Sequence, residues 1–164
     1  MGTLETLIVC KSIHHQNTAR VAEAMAEVLH ANVVDPLAAD YGSLERCDLI
    51  GLGSGIYFGR FHSELRKWVG GLPQGTSRQL RLFIFSTSGL SVLWRLWHWP
   101  LKRVIQNQGH QIVGEFHCCG FDTFGPLQFI GGINLRRPND RDLQLASDFA
   151  KHLLQSTVPR VSEE

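Results

Sequence analysis

The sequence predicts an α/β fold, a three-layer sandwich doubly wound around a five-stranded parallel sheet in the order 2-1-3-4-5. Two observations predict it. Apolar, strand-like runs alternate with helical patterns along the chain, which implies right-handed crossovers and a parallel sheet covered on both faces. Every polar or glycine-rich loop, at 11–18, 53–62, 86–91 and 119–127, follows a strand. Ligands of such sheets bind outside the carboxyl ends of the strands, at the switch point between the first and third.

The first strand, Leu7-Ile8-Val9-Cys10, opens into the polar turn Ser12-Ile13-His14-His15-Gln16-Asn17-Thr18. A helix follows, with Val21, Ala22, Met25, Val28 and Leu29 at the spacing of one face. The second strand is 32–34, closed by Asp35-Pro36, and 37–46 is a loop or a turn of helix. The third strand is 47–53, its glycines marking a close backbone approach. A helix over 63–68 ends near Gly70-Gly71, and the fourth strand is 80–85. A helix over 101–108 with Gly109 as C-cap precedes the fifth strand, 111–118, and a last helix spans 140–154.

The 164 residues suit one domain, 1–164, with 43% hydrophobic and 19% charged residues in the normal globular range. A net charge of +1 with no basic, aromatic-interleaved run excludes nucleic acid as an expected partner. No apolar stretch approaches the roughly 18 residues of a membrane span, and no signal peptide is evident, so a cytoplasmic protein is expected. Four cysteines, Cys10, Cys47, Cys118 and Cys119, form neither a disulfide framework nor a metal pair. Cys118 and Cys119 point to opposite faces of a strand and read as packing residues.

The first turn carries the strongest chemical signal. A strand running into a hydroxyl- and amide-rich turn and then a helix aims unpaired N–H groups and a helix dipole at one spot, which suits a phosphate. Without the glycines and lysine of a P-loop, a monophosphate fits better than a triphosphate. N–H groups of His14 and His15 suit that pocket better than a metal, since adjacent histidines do not share a helix face. Tyr57 and Phe58 in the second loop offer stacking area for a planar ligand, and Thr87, Ser88 and Gly89 offer hydroxyls and N–H groups. Trp94, Trp97 and Trp99 could cap the ligand site, pack into a crossover, or form a homodimer interface. Other sites on related topologies fail on particular residues. The sixth residue after Cys10 is Gln16 rather than the arginine of a low-molecular-weight tyrosine phosphatase. Asp48 starts its strand, where a response regulator needs an aspartate at the end. The Gly51 to Gly55 run lacks dinucleotide-fingerprint spacing. No catalytic residue and no metal site is assigned.

Taken together, these loops resemble those of the flavodoxin family over nearly the whole chain. Residues 12–18 are similar to the family's phosphate loop, a hydroxyl-rich turn followed by Gly-Asn-Thr; Asn17 and Thr18 match, and Gln16 replaces the glycine. The resemblance implies FMN as cofactor, its phosphate held by Ser12, His15, Asn17 and Thr18 in a turn that includes His14 and Gln16. It also implies that Ser54, Gly55, Ile56, Tyr57, Phe58 and Gly59 cover one face of the isoalloxazine ring. Ser86-Thr87-Ser88-Gly89 and the loop containing Phe121 and Asp122 look like motifs of a short-chain flavodoxin-like subgroup, as do 131–134 and 137–139. Residues 57–63 also resemble a loop of the menaquinone-dependent protoporphyrinogen oxidases. The implied function is electron transfer between redox partners, either a partner protein or a small-molecule acceptor. The alternative is an FMN-dependent NAD(P)H or quinone oxidoreductase. Low-potential flavodoxins are strongly acidic, whereas this chain is near neutral, with Arg60, His62, Arg136 and Arg137 in loops on the ligand side. Positive charge there favours the reduced, anionic flavin, which speaks against a plain ferredoxin-replacing role.

Overall fold

The computed structural model describes residues 4–13, 15–74, 79–121 and 132–157. Its elements run β1 (Thr6–Lys11), α1 (Asn17–Leu29), β2 (Asn32–Val34), a 3₁₀ turn (Tyr41–Arg46), β3 (Leu49–Tyr57), β4 (Arg60–Phe61), α2 (Ser63–Gly70), β5 (Arg81–Ser88), α3 (Trp94–Asn107), β6 (Gln111–Cys119) and α4 (Asp140–Thr157). The parallel strands lie in the order β2-β1-β3-β5-β6, with β4 antiparallel on β3. Numbered as five parallel strands, this is the expected 2-1-3-4-5 order, and the fold is flavodoxin-like.

Beyond small shifts, such as β5 running to Ser88 into the expected loop at 86–91 and α4 running to Thr157, two boundaries differ from the sequence expectation. The third strand continues to Tyr57 and folds back on itself, so most of the expected loop at 53–62 is a β-hairpin. Its turn residues, Phe58 and Gly59, both have positive φ (50° and 72°), as a two-residue turn matching strand twist requires. A phenylalanine in the left-handed region is uncommon and gives no hairpin signal. Helix α3 begins at Trp94 and runs through Pro100. Proline lacks the N–H that would bond four residues back, to the carbonyl of Leu96, on the exposed side of the helix.

Strand alternation divides the core into two layers. On one face, Ile8, Met25, Leu49, Phe83 and Phe85 pack with Ala146 and Leu153 under α1 and α4. On the other, Ile50, Leu52, Leu82 and Ile84 pack against Leu65, Val69, Leu101 and Ile105 of α2 and α3. Gly51 and Gly53 oppose Phe83 and Phe85 in register, and a β-carbon at either would collide with the facing phenyl ring. Gly51 and Gly53 therefore serve aromatic packing rather than the ligand.

The β5–β6 ladder carries one irregularity. Leu82 pairs with Ile112 and Phe83 with Gly114, so Val113 is an extra residue on β6. Ile112 packs with the α2/α3 layer and Val113 with the α1/α4 layer. Gly114 faces Phe149 and Leu153 of α4. Two successive residues thus face one way, as in a β-bulge, and beyond it Glu115 and His117 turn toward α3.

Candidate functional site

The β1–α1 turn is built from two successive left-handed residues, His15 and Gln16, both at φ 53°. Gln16 is the N-cap of α1, and its carbonyl accepts the first helical bond from the N–H of Arg20 at 3.0 Å. The left-handed geometry explains why glycine suits this position and shows that glutamine can occupy it. Among the described residues no side chain caps the helix, and its first turn holds no acid. Ser12 Oγ is buried with no hydrogen-bond partner among the described residues. Lys11 pairs with Asp35 (2.9 Å) and Glu64 (2.5 Å), so its ammonium is committed away from the turn.

Three contacts join this turn to other strand ends. The hydroxyls of Thr18 and Thr87 meet at 2.8 Å, both residues buried. Asn17 Nδ2 donates to the carbonyl of Phe121 at 2.7 Å. A β-carbon at position 120 would lie 2.7 Å from Asn17 Nδ2, so Gly120 allows the two loops to close. The rings of His15 and Phe121 are 4.5 Å apart, and Asn134 Nδ2 donates to the carbonyl of Gly89 at 2.6 Å. At the start of α4, Asn139 and Asp142 exchange side-chain to backbone hydrogen bonds (2.9 and 3.1 Å), a reciprocal cap. Arg137 Nη2 donates to Asp142 at 2.7 Å.

These loops enclose a cavity of about 300 Å³ at the carboxyl ends of β3, β5 and β6. Its wall takes Asn17 and Thr18 from α1, Gly55, Ile56, Tyr57 and Phe58 from the hairpin, Thr87, Ser88 and Gly89 from the end of β5, and Gly120 and Phe121 after β6. Except for Gly120, all of these were expected from the sequence. Phe58 is 86% exposed at the rim. Tyr57 leans back over Gly55, where a β-carbon would lie 2.8 Å from its hydroxyl.

Other expected residues serve the cavity indirectly. Ser54 is fully buried; it donates to the carbonyl of Gly55 (2.7 Å) and accepts from the N–H of His62 (3.0 Å), tying the hairpin to α2. Gly59 faces the indole of Trp97. Ser12, His15 and Gln16 shape the turn without lining the cavity wall. His14 and Asp122 lie outside the described residues. Burial pushes the thiols of Cys10 and Cys118 up to about 12, which makes both inert hydrophobes.

One cluster has no counterpart in the sequence reading. Ser88 Oγ, in the cavity wall, lies 3.4 Å from His117 Nε2, and Ser86 Oγ lies 3.0 Å from His117 Nδ1. Ser86 Oγ is 2.7 Å from His98 Nε2, whose Nδ1 is 3.1 Å from Glu115 Oε2; Lys102 Nζ donates to Glu115 Oε1. Burial pushes both imidazoles down to about 4. The signal lay in the i, i+2 pairs Ser86/Ser88 and Glu115/His117 on two strands and the i, i+4 pair His98/Lys102 on a helix.

No family model matches the chain. It is 38% identical over 155 residues to MJ0298, an uncharacterised protein of Methanocaldococcus jannaschii, across 93% of this chain and 100% of that one. The chain belongs to the MJ0298 family. Among solved structures it is similar to a flavodoxin from the domain Archaea (TM-score 0.67, 16% identity, 94% of this chain and 99% of that one). It is also similar to the NADH:FMN oxidoreductase EmoB in its apo form (TM-score 0.66, 16% identity, 96% and 92%). Rubredoxin oxygen:oxidoreductase of Desulfovibrio gigas matches over 97% of this chain and 37% of its own length (TM-score 0.68, 13% identity). These likenesses show the fold. Among the described residues no helix is long and apolar enough to cross a membrane.

Proposed function

We propose that the protein binds FMN in the cavity at the strand ends and passes electrons between redox partners. The observation that carries this reading is the convergence of an uncapped, acid-free helix start with a cavity whose rim is aromatic. The residues fit the group. Ser12 Oγ is a buried hydroxyl in need of a partner, and the free N–H groups of the first helical turn suit a phosphate. Asn17 and Thr18, fixed by Phe121 and Thr87, would hold that end. Tyr57, Phe58 and Ile56 would supply the apolar face for a flat ring system. A bound flavin would supply reversible electron exchange; the protein contributes binding, orientation and electrostatics. The exposed Phe58, with Leu90 and Val92 just beyond Gly89, offers apolar surface for a partner close to the ring.

The test is an absorbance and fluorescence titration of the purified protein with FMN and with riboflavin. Quenched flavin fluorescence with FMN preferred over riboflavin is the expected result. Failure to take up either would overturn the reading and leave a flavodoxin-like interaction module.

A second reading, an FMN-dependent NAD(P)H or quinone oxidoreductase, draws on an open hollow of about 590 Å³ that shares Tyr57 and Phe58 with the cavity and adds Arg60, His62 and Arg66. Guanidinium groups beside a flavin edge suit a phosphate-bearing donor. Steady-state oxidation of NADPH with a quinone acceptor would favour the enzyme. Reduction only through a partner protein would favour the carrier.

A further inference from the structure

The polar chain behind the cavity wall has a direction, and bookkeeping of its protons reveals it. Glu115 accepts a hydrogen bond from the Lys102 ammonium and is ionised in that pair, so its carboxylate can only accept from His98. His98 therefore carries its proton on Nδ1 and offers Nε2 as an acceptor. Ser86 Oγ–H donates to that nitrogen, and the serine oxygen then accepts from His117 Nδ1–H. His117 Nε2 is left as an acceptor facing Ser88 Oγ at 3.4 Å. Every donor points the same way, from the cavity toward Glu115, which is 21% exposed beside the 29% exposed Lys102.

The order of contacts, serine to histidine to carboxylate, is that of a hydrolytic triad. Ser86 and His98 are both fully enclosed, and Ser86 Oγ already serves two imidazoles, so no acyl group can reach it. A chain that begins at a cavity wall and ends at a solvated carboxylate suits proton movement instead.

We propose that Ser88, His117, Ser86, His98 and Glu115 form a proton relay between the cavity and solvent, so that a redox group bound there exchanges a proton together with its electrons. This rests on the flavin reading above. In the observed orientation one proton leaves the cavity per passage. A group in the cavity gives a proton to Ser88 Oγ while Ser88 gives its own to His117 Nε2. His117 passes its Nδ1 proton to Ser86, Ser86 passes its own to His98 Nε2, and His98 passes its Nδ1 proton to Glu115. Release from Glu115 to water restores the carboxylate, and the electrons leave through the redox partner. The chain is then oriented toward the cavity and can return a proton the same way.

Ser88 is the gate. Its hydroxyl donates to the carbonyl of Leu90 at 2.5 Å, and rotation of that hydroxyl connects it to His117. The surroundings favour passage over trapping. His98 is packed by Phe61 and Trp94 and faces Ser86 of β5, Glu115 and His117 of β6 and Lys102 of its own helix. Trp94 lies nearly parallel to His117 (9°, centroids 5.9 Å apart). With burial holding both imidazoles neutral near pH 7, neither retains a proton as a stable cation.

The variant S86A cuts the chain at its centre without altering the cavity wall, and S86T restores the hydroxyl. With the FMN-loaded protein reduced and then oxidised by ferricyanide in weak buffer, a pH-indicator dye reads proton release. S86A is expected to slow release about a hundredfold, at the low end of what a positioned proton-transfer group contributes, with FMN affinity unchanged and S86T close to wild type. Wild-type release rates in S86A that binds FMN normally would overturn the relay. Failure of wild type to bind FMN would overturn the flavin reading instead. Nitrogen-15 spectra of the apo protein test the chain without flavin. Both imidazoles should be neutral with the proton on Nδ1 at pH 7, and a charged His98 or His117 there overturns the relay.

Discussion

The two faces of the sheet use the same strands differently. On β5, Phe83 and Phe85 point into the α1/α4 layer, while Leu82 and Ile84 point to the α2/α3 layer. Further along, the first layer stays apolar through Cys10 and Cys118, buried beside Phe85, and closes on the single hydroxyl pair Thr18–Thr87. In the second, the apolar ladder gives way to Ser86, His98, Glu115 and His117 just below the cavity. A dry layer holds the sheet flat against its helices; the layer beneath the site carries buried polar groups that add directionality at a cost in desolvation. One sheet can do both because strand alternation keeps the two chemistries a backbone's thickness apart.

The comparison breaks most severely through Phe85→Ala. It empties the space above Gly53 and should destabilise the protein by about 3–5 kcal/mol, as buried aromatic truncations do. Urea unfolding would measure this. Ser86→Ala on the other face removes no comparable volume; it leaves two imidazole nitrogens unpartnered, at about 1–3 kcal/mol. If the two variants cost the same, the contrast between the layers is wrong.

Mild acid should act chiefly on the polar face. His98 and His117 titrate near 4 in the folded protein against 6.5 for an unperturbed histidine, chiefly through burial. Between those values the unfolded chain binds more protons, so stability is complete above about pH 6.5 and is lost as pH falls toward 4. His98→Gln should flatten that dependence, read from urea midpoints across the range. An unchanged slope would mean that His98 does not contribute.

At the cavity, Asn17→Ala combined with Thr18→Ala should weaken FMN by about 1–3 kcal/mol, the worth of one or two hydrogen bonds to a charged group. Riboflavin, which lacks the phosphate, should be affected less in parallel titrations. Equal losses would place the phosphate elsewhere. The smallest effect expected is electrostatic. Arg60 lines the open hollow beside the cavity, and Arg60→Glu should lower the reduction potential of a bound flavin by on the order of 1 kcal/mol, as for other exposed charges. The shift should shrink at high salt in a redox titration. A raised potential would mean that the guanidinium does not act on the ring.

Strand order was legible because buried strands and amphipathic helices alternate at the spacing that a doubly wound sheet requires. Most of the cavity wall was legible because such sheets collect their ligand loops at one end. What escaped was encoded by residues that look unremarkable where they stand. Phe58 gives no turn signal, so the hairpin was read as loop. Pro100 breaks a helical pattern on paper, yet α3 runs through it. Ser86, His98, Glu115 and His117 come from three elements and become a chain only through the register of β5 on β6.

That register depends on Val113 being set out of the ladder. A strand normally repeats one inward-outward rhythm from end to end, so its odd and even positions are committed to the same sides throughout. The extra residue resets the rhythm, letting one strand carry two independent messages: its first two residues are written in one phase, and everything from Gly114 on in the other. Removing that single residue would make Ile112 and Gly114 consecutive in an unbroken ladder, and each would keep the face it has now. Glu115 and His117 would still face α3; what would be lost is the local bend of the bulge and the packing of Val113 in the α1/α4 layer. A relative with a gap at this position can therefore keep the same polar face, even though the odd-even count along its strand differs.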